Sequence, residues 1–160
     1  MESSQEYLKL LQQALEKKTQ ILDRILLLTQ EQEQLLRLED LGPDEFEKTV
    51  DEKGKLLENL TQIDQGFEEV YQRIAPEVQL HKASYREEIR HLQEQIREVT
   101  AKGAQIQAVE SRNKTLAEER FTKIRRQIRD SHASAQVVNK YYQNMMKLNY
   151  VEPQFMDDKN

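Results

Sequence analysis

The chain has 160 residues, the length of one ordinary domain, and only 7 of them are Gly or Pro, about 4% where ~12% is usual. Ala, Glu, Lys, Leu and Arg supply 73 residues and Gln another 19. That is the composition of long helices or coiled coil, and it excludes a doubly wound sheet or a β-sandwich, which need more turn residues.

The absence of Cys removes disulfide frameworks, thiol nucleophiles and thiolate metal sites, and fits a reducing compartment. The longest apolar run, Ile25-Leu26-Leu27-Leu28, is far too short to cross a bilayer, so no direct membrane insertion is expected. Met1-Glu2-Ser3-Ser4-Gln5-Glu6 lacks the basic start of a signal peptide, and a net charge of −5 gives no global pull towards phosphate or anionic lipid. A soluble, cytoplasmic, all-α protein forming a single helical domain over 1–160 is expected.

The first helix is predicted over about 4–38, with Ser4 as its cap and Glu6 in the first turn, where the helix dipole favours acid. Leu8, Leu11, Leu15, Leu22, Ile25 and Leu36 recur at three- and four-residue spacing, with Lys18, Thr29 and Gln32 as polar interruptions. Tyr7, Ala14, Ile21, Leu28 and Leu35 widen the stripe beyond a two-stranded seam, which suits a coiled-coil-like bundle. Asp40-Leu41-Gly42-Pro43-Asp44-Glu45 is the strongest punctuation: Gly closes one helix, and Pro followed by two acids opens the next. So short a connection forces an antiparallel hairpin. The second helix is predicted over 43–74, with Phe46, Val50, Leu57, Leu60, Ile63, Phe67, Val70 and Ile74 on one face and Gly54 weakening its middle.

Ala75-Pro76-Glu77 reopens the pattern, and a third helix is predicted over 77–147, followed by a tail at 148–160. Its seam, clean from Tyr85 to Ile106, falters where Gly103, Glu110 and Asn113 replace apolar residues. It resumes at Phe121, Ile124 and Ile128 and reaches Val138, Tyr142 and Met145. Thr115-Leu116-Ala117-Glu118 matches a capping box, which makes 103–115 the place for any bend or break. An unbroken helix of this length would reach ~105 Å, about twice the hairpin. A long, under-partnered third helix is therefore expected, with the polar middle of its seam exposed to water.

No catalytic constellation is present. His81, His91 and His132 have no metal-ligand spacing and read as surface histidines; adjacent acids such as Glu87-Glu88 diverge on a helix; no Gly-rich loop exists for phosphate. Neither enzyme activity, nor a metal, nor a cofactor is expected. Arg120-Phe121-Thr122-Lys123-Ile124-Arg125-Arg126-Gln127-Ile128-Arg129 carries five basic residues, while residues 31–58 hold ten acids. A solvated or intramolecular face ranks ahead of an acidic protein partner there, and nucleic acid comes last, because the interleaved apolar residues continue the seam.

The C-terminus is the informative region. Four of the ten aromatics and three of the four methionines fall in residues 141–156. Val138, Tyr141, Tyr142, Met145, Met146, Leu148, Tyr150 and Phe155 are the candidate partner-binding residues, because aromatic and Met side chains bury much area and adapt in shape. Packing on the chain's own hairpin or in a homodimer is the competing reading, and the two are compatible.

The acid-led stretch Asp44-Glu45-Phe46-Glu47-Lys48-Thr49-Val50-Asp51-Glu52-Lys53-Gly54-Lys55-Leu56-Leu57-Glu58-Asn59-Leu60 resembles the second helix of FlgN-type flagellar export chaperones. The Leu- and Glu-rich helix ending Leu38-Glu39-Asp40-Leu41-Gly42 and the tail from Asn139 through Pro153-Gln154-Phe155-Met156-Asp157 agree with that family, although Gly54 departs from its helix-favouring residue. The resemblance implies a cytoplasmic chaperone of the flagellar type III export system that consumes no ATP. It would bind helical terminal segments of hook–filament junction (hook-associated) proteins through its C-terminal helix and deliver them to an export gate component. Such a chaperone would be a monomer or weak homodimer. A chaperone for the filament-cap protein or flagellin, and a structural coiled-coil adaptor, are the alternatives.

Overall fold

The computed structural model describes residues 2–127 and 132–148, with side chains over 4–122 and 135–147. Four helices follow one another: α1 Glu2–Arg37, α2 Pro43–Leu80, α3 Arg86–Gln127 and α4 His132–Leu148, with a 3₁₀ turn at Lys82–Tyr85 before α3. No strand occurs among the described residues. α1 packs against both α2 and α3, and α4 lies mainly on α2, parallel to it and antiparallel to α3. The architecture is an all-α bundle with three helices at one end and four at the other.

The hairpin turns where expected. Pro43 opens α2, and Phe46 N–H donates to Gly42 O at 3.2 Å. Gly42 has φ −72° and ψ 112°, so it serves as an extended N-cap and not as a left-handed helix terminator. Ser4 does not cap α1, which begins at Glu2; its buried hydroxyl donates to Glu77 of α2.

Three expectations for the later chain need correction. α2 does not stop at residue 74 but runs through Pro76 to Leu80. Pro inside a helix removes one hydrogen bond and costs about 3 kcal/mol. Burial of Ile74 and Val78 on one face offsets this, and Glu77 is fixed by Ser4 and by the Tyr85 hydroxyl at 3.3 Å. The single long helix over 77–147 is instead the end of α2, the 3₁₀ turn, α3 and α4. Finally, α3 passes through 103–115 without a break, and residues 128–131, between α3 and α4, lie outside the described residues.

The seam residues of the sequence form two apolar clusters. One holds Leu8, Leu11, Leu15, Leu22 and Ile25 of α1 against Leu57, Leu60, Phe67, Ile74 and Val78 of α2 and Leu92, Val99 and Ile106 of α3. The other gathers Leu35, Leu36, Phe46, Val50, Ala117, Phe121, Val137, Val138 and Tyr141 from all four helices. Phe46, Phe121 and Tyr141 meet there with centroids 5.4–5.8 Å apart, edge-on or tilted, each pair adding about 0.5–1.5 kcal/mol beyond its buried area.

Between the clusters lies a polar layer. Lys53 Nζ donates to Gln32 Oε1 at 3.1 Å and to Glu110 Oε1. Gln32 Nε2 donates to Thr49 Oγ1 at 3.2 Å, and Asn113 Nδ2 to Thr29 O at 2.9 Å. Glu110 and Asn113, expected in water, are buried at 8% and 0% exposure. Partners on α1 and α2 take one oxygen of Glu110 and the amide nitrogen of Asn113 inside the bundle, while Glu110 Oε2 and Asn113 Oδ1 are buried without one.

Candidate functional site

The C-terminal residues singled out by composition divide between two roles. Val138 and Tyr141 are 3% and 1% exposed and hold α4 in the second cluster. Tyr142 and Met145 are half-buried, and Met146 is 75% exposed. The Leu148 side chain, Tyr150 and Phe155 lie outside the described residues.

Tyr142, Met145 and Met146 form one wall of a groove whose other wall is α3, with Gln107, Glu110, Ser111 and Lys114; its volume is about 430 Å³. The α3 residues recur at spacings of three and four and so share a face. Nothing in their polarity distinguishes that face from a solvated one, which is why sequence reasoning missed them. Only Glu110, an acid in an apolar seam, was a signal.

α4 is held beside this groove by polar as well as apolar contacts. Asn144 Nδ2 donates to Val50 O at 2.9 Å, and Lys140 pairs with Glu47 at 3.4 Å and Asp51 at 3.2 Å. Gly54, which looked like a weak point in α2, faces α4: a Cβ there would sit 3.4 Å from Asn144 Oδ1, an ordinary van der Waals contact. Tyr142 braces the groove from behind, its ring edge-on to Phe121 at 6.1 Å and to Tyr141 at 5.7 Å.

The floor is electrostatically unusual. Burial pushes the Lys53 ammonium below its ordinary range, and the Glu110 carboxylate opposes that shift. Burial raises the Tyr141 hydroxyl well above its usual value, aided by the charge of Glu110 and by Tyr142. Glu110 Oε2 and the Tyr141 hydroxyl are both buried without a hydrogen-bond partner.

The remaining candidates are quieter. His81 and His91 are exposed, and the His132 side chain lies outside the described residues. Among the described residues no group of His, Cys, Asp or Glu is placed to hold a metal, and no helix is long and apolar enough to cross a membrane. Of the basic stretch, Arg120 donates from Nη2 to Glu39 O at 2.8 Å, tying α3 to the hairpin turn. The side chains of Lys123, Arg125, Arg126 and Arg129 lie outside the described residues.

In comparison with known proteins, the family model described as FlgN protein matches residues 1–148. Neither the curated proteins nor the solved structures returned a match.

Proposed function

Because the chain belongs to the FlgN family, a family of flagellar export chaperones, we propose that it binds helical terminal segments of hook–filament junction proteins in the cytoplasm and delivers them to the export gate. The observation that carries this reading is the groove between α3 and α4, where Met146 is 75% exposed beside half-buried Tyr142 and Met145. An unassembled terminal helix has an apolar stripe to cover, and a groove walled by aromatic and Met side chains covers it without demanding one shape. Val138 and Tyr141 support the groove by holding α4.

The test is binding of purified junction-protein terminal segments, followed by calorimetry. Met146→Glu should abolish most binding and leave the thermal melt unchanged, since the side chain is exposed. Tyr142→Ala with Met145→Ala should weaken binding by roughly 2–4 kcal/mol, or about 30- to 1,000-fold, if both are anchors. Retention of only the filament-cap protein or flagellin would change the client. A stable oligomer indifferent to all of these proteins would make the chain a structural adaptor. Normal binding by both variants would move the site away from the groove.

A further inference from the structure

The two walls of the groove differ in kind. The α4 wall is Tyr142, Met145 and Met146; the α3 wall sets exposed Gln107, Ser111 and Lys114 around the buried Glu110. Glu110 is answered inside the bundle by Lys53, so its charge is already balanced. Lys114 is not: among the described residues it forms no ion pair, not even with Glu118 one turn on. By contrast Lys102 is paired with Asp23, Arg112 with Glu33, and Lys140 with Glu47 and Asp51. α4 runs antiparallel to α3 and Tyr142 meets Phe121, so Lys114 stands towards the Tyr142 end of the groove and Gln107 towards the Met146 end. From Gln107 to Lys114 the lining covers two helical turns, about 10 Å.

We propose that the groove takes an amphipathic client helix with an Asp or Glu at the edge of its apolar stripe, the stripe lying on Tyr142, Met145 and Met146 and the carboxylate pairing with Lys114. This rests on the reading of the groove as the client site and adds what that site recognises. Apolar contact is non-directional, so the α4 wall alone accepts a helix running either way along it. A single cation towards one end removes that degeneracy, since only one direction brings a given acid to Lys114. A client with Lys or Arg at that place meets like charge, which disfavours it and slows its encounter. Lys114 is exposed, so the pair contributes selectivity and rate more than bulk affinity.

The experiment uses the full chain and synthetic peptides of the junction-protein terminal segments. Each Asp and Glu in a peptide is replaced in turn by Asn or Gln, and each Lys and Arg by Met. Calorimetry measures binding to the native chain, to Lys114→Met and to Lys114→Glu, both of which should keep the native melt because the side chain is exposed. One acidic position should lose about two- to fivefold with the native chain and nothing with Lys114→Met. Lys114→Glu should lose about tenfold and recover when that same peptide acid is changed to Lys. The native preference for the acid should fade at high salt. Coupling at a Lys or Arg position, or at none while Tyr142→Ala with Met145→Ala still weakens binding, would leave the groove as the site and overturn the acid seat. If that double variant also binds normally, the groove itself is not the site. A dimer of the chain that Lys114→Glu dissociates would make a second copy the occupant and overturn the client assignment.

Discussion

Removing the Lys53 side-chain charge alone should damage the fold far more than removing the whole ion pair. Lys53 is 1% exposed and supplies donors to Gln32 Oε1 and Glu110 Oε1. Lys53→Met fills a similar volume but leaves a buried carboxylate without its counter-charge, a change that typically costs about 3–5 kcal/mol. Adding Glu110→Leu removes that carboxylate and its already unpartnered Oε2. The double variant then carries mainly the loss at Gln32 Oε1, about 1–3 kcal/mol, against about 1–4 kcal/mol recovered by replacing a buried pair with apolar residues. Its net change should lie near zero, leaving it roughly 3–4 kcal/mol more stable than the single variant. Urea unfolding followed by circular dichroism measures both. If the single variant costs under 1 kcal/mol, or the double variant is as weak as the single, the layer is not the paired, desolvated network described above.

Other outcomes follow from single side chains. Tyr141→Phe removes a buried hydroxyl that has no partner and keeps the ring among Phe46, Phe121 and Tyr142, so thermal melting should show a gain of about 1 kcal/mol; a loss of that size would reveal a hydrogen bond to the hydroxyl. Gly66→Ala, in the exposed interior of α2 with no atom within 4 Å of the added Cβ, should stabilise by about 0.5–1 kcal/mol in urea titrations; no gain would contradict an uninterrupted helix there. Arg112 holds Glu33 below the carboxylate value of 4.5 through a hydrogen bond at 2.8 Å, so this contact stabilises above that pH and the stability is lost as pH falls through the depressed value. Arg112→Ala should therefore narrow the difference in urea midpoint between pH 7 and pH 3.5, and an unchanged difference would remove the pair from the acid response.

The parts of the fold legible in the sequence are those set by local pattern. Gly42-Pro43-Asp44-Glu45 marked the turn because Pro at a helix start and acid in the first turn act within a few residues. The apolar stripe from Leu8 to Ile25 marked the core because burial follows helical spacing. Polar residues in the seam were misread because what buries them is distant in sequence: Glu110 meets Lys53, 57 positions away, and Asn113 meets Thr29, 84 positions away. Pro76 was read as a boundary for the same reason, since burial of Val78 from outside the local pattern carries the helix across it. In the candidate site, Tyr142, Met145 and Met146 were recognisable by type. Composition does not separate them from Val138 and Tyr141, which differ only in the direction they take around one helix.

Long leucine-rich helices have an alignment problem that the polar layer solves. Leu8, Leu15 and Leu22 repeat every seven residues, as do Leu60, Phe67 and Ile74, and Leu92, Val99 and Ile106. Sliding one such helix by a heptad, ~10.5 Å, exchanges one apolar contact for another at small cost. The same slide would carry Lys53 away from Gln32 and Glu110 and set a bare ammonium against aliphatic side chains. The layer thus acts as a vernier, permitting a single longitudinal setting of α1, α2 and α3. The groove, with Glu110 at its floor and α4 along its edge, has its lining only in that setting.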